Sequence, residues 1–377
     1  MIEKEVAELR RRYKADKSNI THVVGCYVNE NKEIISRFDQ SIAMLSEDEQ
    51  EKMFSLLRKA LSGAIGKNLL DITFETRQVV DGEEHKLLMD LRASKLKEEA
   101  VLDTFFQKAI QSLELESNYL ILLAHDAYDV PYRTKDGERN DDAGNSEVFS
   151  YILCAVCPVK QTKPALSYSA PENEFHNLAA NRVISAPEAG FLFPAFDDRS
   201  TNLYNALFYT RNVKETQEAF VEAIFRQSPP MPAAQQMATF QNILGASLED
   251  DCSYQVVQAV GDQLRDIITE HKINKEEENL VITKGTVKQV LENCGVEEDN
   301  IKKFDEHFDE SFGQGADLPP WNLVNTKKME IKTPDVTIQV DPLKSDLVET
   351  RVINGGKYIL IRAEDGVEVD GVFIHIQ

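Results

Sequence analysis

The sequence has no run of the ~18–20 apolar residues that a membrane-spanning helix needs, so no membrane partner is expected. Its opening residues, Met1-Ile2-Glu3-Lys4-Glu5, lack the basic-then-apolar pattern of a secretory leader. Cysteine is scarce: Cys26, Cys154, Cys157, Cys252 and Cys294 are odd in number, scattered, and too few to staple 377 residues. Reduced thiols and a cytoplasmic location are the expectation. Positive charge is short as well, with 42 Lys and Arg against 64 Asp and Glu for a formal net charge of −22. Such a polyanion repels phosphate backbones and anionic lipid surfaces unless its bases are segregated. No fixed-period repeat and no low-complexity tract is present, which argues against a solenoid or a disordered chain.

What is there is an ordinary globular mixture, 42% hydrophobic and 28% charged. The length passes the ~250–300 residues that one core usually serves, so more than one packed unit is expected. Charge is graded along the chain. Residues Glu249 to Gln377 hold 27 acids and 14 bases, more than half of the net charge, whereas the one dense basic run is Arg10-Arg11-Arg12-Tyr13-Lys14-Ala15-Asp16-Lys17.

Periodicity and turn residues predict an α+β fold: a central mixed or antiparallel sheet domain with helices over 1–227, a helical region over 228–313, and a small β-rich C-terminal unit over 314–377. In the first part, a helix is expected over 3–14, and strands over His22–Asn29, Glu33–Phe38, Asp71–Val80, Tyr119–His125, Val148–Val156 and Leu203–Tyr209. Helices are expected around Glu83–Leu91, Lys97–Leu113 and 214–226, and a polar loop over Pro131–Ser146. The clearest local signal is Ser46-Glu47-Asp48-Glu49, which has capping-box spacing ahead of an apolar helical pattern, with Gly63 placed to close the helix. In the second part, Ala233–Leu244, Gln255–His271, Thr286–Asn293 and Asp299–Phe312 read as helices, the last with Ile301, Phe304, Phe308 and Phe312 on one face. Gln314–Pro320 reads as a linker, and Met329–Lys332, Val336–Val340, Leu347–Ile353 and Lys357–Arg362 as strands, with Asn354-Gly355-Gly356 as a hairpin turn.

Several clusters invite a chemical reading. Acids at strand ends, Asp126 and Asp129 with His125, then Asp141-Asp142 and Asp197-Asp198-Arg199, are the candidates for acid–base or metal-assisted hydrolysis, with His176 able to join them. The spacing matches no metal motif, and in so acidic a chain solvated turns produce such clusters readily. No metal site and no cofactor is expected. Arg10, Arg11, Arg12, Lys14 and Lys17 are candidate phosphate contacts, with Tyr13 to stack; a solvated helix end is the plainer account. Cys154 and Cys157 have redox-motif spacing, but they lie on a strand-like run with Pro158 behind, so the two thiols should face opposite sides and be buried. Gly63-Ala64-Ile65-Gly66-Lys67-Asn68 has neither the spacing nor the hydroxyl of a phosphate loop. Phe191–Phe196 and Leu203–Tyr209 read as sheet core.

The stretches ELRRRYKADKSNITHVVGCYVNENKEIISRFDQS, LRKALSGAIGKNLLDITF, YLILLAHDAYDVPY, CPVKQTKPALSY and FPAFDDRSTNLYNALFYT resemble an uncharacterised bacterial family described as a domain of unknown function. The resemblance covers nearly the whole chain and implies no activity and no site residue. Asp299–Phe312, Leu318-Pro319-Pro320 and the strands IKTPDVTIQV and KYILIR are similar in order to the end of the nucleoid-associated protein family, which implies a nucleic-acid partner. The expectation drawn from all this is a non-catalytic binding or scaffold protein with a protein partner or self-association. Its alternatives are a nucleic-acid-associated protein and a metal-dependent hydrolase on the carboxylates.

Overall fold

The computed structural model describes residues 1–131, 148–214, 216–274, 278–363, 366–369 and 371–374. They divide into two compact units, Met1–Pro232 and Ala233–Gln377.

The first unit is built on strands β1 (His22–Val28), β2 (Ile34–Ser41), β3 (Leu69–Thr73), β4 (Tyr119–Asp129), β5 (Val148–Gln161), β6 (Ala165–Ser169), β7 (Glu174–Leu178), β8 (Arg182–Ile184), β9 (Ala189–Phe193), β10 (Ala195–Asp197), β11 (Ser200–Asn202) and β12 (Asn205–Thr210). Its helices are α1 (Glu3–Arg10), α2 (Glu47–Lys59), α3 (Thr76–Asp81), α4 (Glu83–Ala93), α5 (Glu99–Ser112) and α6 (Glu218–Phe225). The main sheet runs β2-β1-β4-β5-β9-β12-β3 with β8 beside β5, and every pairing is antiparallel.

Both faces of this sheet are covered, which explains why YLILLA and YILCAVC read as continuous apolar runs. With a side-chain period of two, Ile121, Leu123, Ile152, Cys154 and Val156 enter the core beneath α4, α5 and α6, with Leu88, Leu91, Phe105, Phe106 and Phe225. Leu122, Ala124, Leu153, Ala155 and Cys157 enter the opposite core beneath α1 and α2, with Val6, Leu9, Phe54 and Leu57. Cys154 and Cys157 therefore do lie on opposite faces, each fully buried, and Phe191, Phe193, Phe196 and Phe208 are core. Gly25 belongs in β1 because a Cβ there would stand 2.3 Å from the Ile121 carbonyl oxygen and 2.6 Å from the Phe38 ring.

The Ser46 capping box forms: its hydroxyl accepts from the Glu49 N–H at 3.4 Å, and the Glu49 carboxylate accepts from the Ser46 N–H at 2.9 Å. Strands β4 and β5 run on to Asp129 and Gln161, past the expected His125 and Val156, and other boundaries also differ. Helix α1 stops at Arg10 rather than residue 14. The stretch read as one strand, Asp71–Val80, is the end of β3 followed by α3. Helix α2 ends at Lys59, so Gly63, at φ 96°, shapes the next turn rather than the helix cap.

The second unit holds α7 (Ala233–Leu248), α8 (Tyr254–Asn274), α9 (Lys284–Asn293) and α10 (Glu298–Phe312). Its core joins Phe240, Leu244, Leu248, Val260, Leu264, Val287 and Leu291 to Ile301, Phe304 and Phe308, the apolar stripe of α10. The segment read as a linker is packed here. Leu318 is buried and exchanges both backbone hydrogen bonds with Ile282, at 2.9 and 3.0 Å. Three two-stranded hairpins follow: β13 (Met329–Lys332) with β14 (Thr337–Val340), β15 (Val348–Ile353) with β16 (Gly356–Ile361), and β17 (Val367–Val369) with β18 (Val372–Ile374). Asn354 and Gly355 turn the middle one with φ of 50° and 85°, the left-handed pair that a tight hairpin requires. Ser345 ties this region to α8, its carbonyl accepting from the Tyr254 hydroxyl at 3.1 Å and its own hydroxyl from the Gln258 amide at 3.0 Å.

No described helix is long and apolar enough to cross a membrane.

Candidate functional site

Asp126 lies on the β4 face turned toward α1 and is 1% exposed. Its carboxylate accepts from the Asn19 N–H at 3.0 Å, the Ala127 N–H at 2.8 Å and the hydroxyl of Tyr151, its cross-strand neighbour, at 3.0 Å. The Arg12 guanidinium completes the shell at 3.3 Å. A carboxylate has about four lone-pair sites, and all are taken. In this arrangement the Asp126 carboxylate is fully engaged by protein donors.

The shell extends along α1. Arg12 stacks over the Tyr128 ring at 4.2 Å, and the Tyr128 hydroxyl donates to Glu8 at 2.5 Å. Burial, reinforced by Glu8, pushes the Tyr128 phenol up to about 12, and burial drives Tyr13 and Tyr151 higher still. Arg199 pairs with Glu8, donates its N–H to Glu5 at 3.3 Å and reaches the Pro131 carbonyl at 2.9 Å. It is presented by a two-residue turn, Asp198 and Arg199 at φ 49° and 59°, between β10 and β11. Asp197 takes the Met1 amine at 2.5 Å and the Asn202 amide at 2.6 Å. Asp126 and Asp197 are thus held by different partners, the Arg12 guanidinium from just beyond α1 and the Met1 amine from just before it.

The other acidic candidates do not join them. Asp129 is at the exposed end of β4 and, by strand alternation, on the face opposite Asp126. Asp141 and Asp142 lie outside the described residues. His125, on the Asp129 face, shares a hydrogen bond with the Ser150 hydroxyl at 2.9 Å. His176 is exposed on β7 and pairs with Glu172 at 2.9 Å. Among the described residues, no group of three or more His, Cys, Asp or Glu is placed to hold a metal ion.

The basic run divides. Arg10 donates to the carbonyls of Leu61 and Gly63, and Arg12 to Asp126; Arg11, Lys14 and Lys17 are exposed. The Gly63 turn is therefore an acceptor for Arg10.

One feature escaped the sequence reading. Strands β6 and β7 form a two-stranded ribbon in which Leu166 faces Asn177 and Tyr168 faces Phe175. By alternation, Leu166, Tyr168, Phe175 and Asn177 share one face, and Ser167, Ser169, Glu174 and His176 the other. The first face is uncharged, mainly apolar and solvent-facing, with Leu166 72%, Tyr168 54% and Phe175 70% exposed. The two rings meet at 5.2 Å, and the Tyr168 hydroxyl donates at 2.6 Å to Asn173, which turns the ribbon at φ 56°. The period-two alternation of ALSYS and EFHN is its only sequence signal, and each run is short enough to pass for a loop.

The chain belongs to a family described as a domain of unknown function (DUF4317), whose model matches residues 1–372. No curated protein and no solved structure matches it, and similarity to the nucleoid-associated family is not shown.

Proposed function

We propose that this family member is a non-catalytic binding protein, that the β6–β7 ribbon is its contact element, and that a second copy of the chain is the occupant. The exposed Leu166, Tyr168 and Phe175 face carries the reading. A two-stranded ribbon is marginal in water without an apolar face packed on something, and this apolar face is open. Copies of a chain with net charge −22 repel one another, so they meet most readily through a face without charge. A two-fold contact is self-complementary and lays the Tyr168–Phe175 pair of one copy on the same pair of the other. The face falls short of the ~800 Å² per partner of a standard interface, so the association is weak and concentration-dependent. The saturated shell of Asp126 supports the non-catalytic part. With Arg10 and Arg12 turned inward, a protein contact is also better supported than a nucleic-acid one.

Sedimentation velocity over a concentration series tests this, with wild type compared with Leu166→Ser/Tyr168→Ser/Phe175→Ser. Wild type should sediment faster as concentration rises and the triple variant as a monomer throughout. A monomeric wild type refutes self-association; equal association of both chains refutes the ribbon as the contact.

A further inference from the structure

Helix α4 ends in a motif that usually calls for glycine. The Lys95 N–H donates to the Arg92 carbonyl at 3.1 Å and the Leu96 N–H to the Leu91 carbonyl at 3.0 Å, while Leu91 and Leu96 are both buried in the same core. This is a Schellman cap with its hydrophobic contact. Its left-handed position is held by Lys95 at φ 53°, and Leu96 follows at 61°. Side chains rarely adopt this backbone, and such strain gathers at ligand sites.

The cap exposes Lys95 one turn beyond Arg92 on the same helix, with its charge near enough to act on His125. Half-buried Arg92 donates its Nε–H to the Ser150 carbonyl at 2.6 Å, and the Ser150 hydroxyl shares a hydrogen bond with His125 at 2.9 Å. Alternation puts Ser150 and His125 on the sheet face beneath α4, opposite Asp126. A guanidinium has five N–H donors; among the described residues Arg92 uses one, on a backbone carbonyl, and has no carboxylate partner. Burial, Lys95 and Arg92 push the titration of His125 down.

The plain alternative is that Lys95 and Arg92 merely offset the helix dipole. That dipole amounts to about half a negative charge at the C-terminus, less than the two cations supply, and Arg92 is aimed at β5 rather than at the carbonyls of its own helix. We propose that Arg92, Lys95, Ser150 and His125 form a binding site for a phosphoryl anion, either inorganic phosphate or a phosphate monoester. The planar Arg92 fork suits two phosphate oxygens, Lys95 supplies a point charge, and the Ser150 hydroxyl donates a further hydrogen bond.

The test is isothermal titration of the full chain with inorganic phosphate and with phenyl phosphate at constant ionic strength, with acetate as control. Saturable one-site binding is expected, with acetate failing to compete. Loss of one charge-assisted contact should weaken binding about tenfold in Lys95→Ala, and Arg92→Gln should do the same or more. Tighter binding of phenyl phosphate identifies a monoester as the ligand; equal or weaker binding identifies free phosphate. Lys95 is exposed, so Lys95→Ala decides the matter even if Arg92→Gln fails to fold. No saturable binding at millimolar phosphate, or unchanged affinity in the variants, overturns the site.

Discussion

Arg12 and Asp126, 114 residues apart in the chain, meet at 3.3 Å in a setting where the carboxylate is 1% and the guanidinium side chain 13% exposed. This pair fastens the segment after α1 to the second strand from the sheet centre. It also engages the most buried carboxylate among the described residues.

Breaking a buried pair leaves the remaining charge uncompensated, at a cost of ~3–5 kcal/mol, whereas replacing both members by apolar residues costs less. Asp126→Ala should therefore lower the stability measured by urea unfolding by about 3 kcal/mol. Arg12→Met/Asp126→Leu should lose less than the two single substitutions added together. Wild-type stability in Asp126→Ala would mean that the pair is not formed.

Thiol accessibility checks the two-faced sheet. Cys26, Cys154 and Cys157 are fully buried, with burial pushing the Cys26 and Cys157 thiols up to about 12, while Cys252 is partly buried and Cys294 exposed. A thiol reagent should modify Cys294 quickly, Cys252 slowly, and the other three only in denaturant. Mild oxidation should leave Cys154 and Cys157 reduced, because they sit on opposite faces.

The lowered titration of His125 gives a pH dependence with a definite sign. Between its folded value and the ordinary ~6.5, the unfolded chain binds the extra proton, so this group's contribution to stability falls as pH drops below that value. Among the described residues, the groups around it are Arg92 and Lys95 from α4, Asp126 on its own strand and the uncharged Ser150. His125→Asn should therefore gain on wild type as the pH of an unfolding series is lowered from 7 toward 5. Glu5 and Asp71, whose burial raises their titration, act in the opposite sense but equally in both chains. A constant difference between the two chains contradicts the assignment.

Glycine at position 95 would relieve the left-handed backbone of the α4 cap. Lys95→Gly should raise thermal stability by ~0.5–1 kcal/mol while weakening phosphate binding, a divergence that a purely structural lysine would not produce.

The local parts of this fold were legible in the sequence, the non-local ones were not. The Ser46 capping box and the opposed cysteines follow from spacings of three residues on one element, and a helix or a strand alone dictates their outcome. Asp71–Val80 misled because Leu70, Ile72 and Phe74 in and just beyond β3 run on into Val79 and Val80 of α3 with no Gly or Pro between. The acids at Asp126, Asp129 and Asp197 looked like one cluster because each falls at or near a strand end. Strand alternation puts Asp129 on the face opposite Asp126, and the partners of Asp126 and Asp197, which are Arg12, Tyr151 and the Met1 amine, come from distant positions. Exposure of the Leu166, Tyr168 and Phe175 face is a property of what does not pack on it, which no local pattern encodes.

The most direct test of the binding reading places a photo-reactive benzoylphenylalanine at Phe175. Irradiation at concentrations where the wild-type chain self-associates should yield a covalent dimer whose cross-link maps to residues 165–178 of the second copy. A product that stays monomeric, or a cross-link that maps elsewhere, contradicts the account.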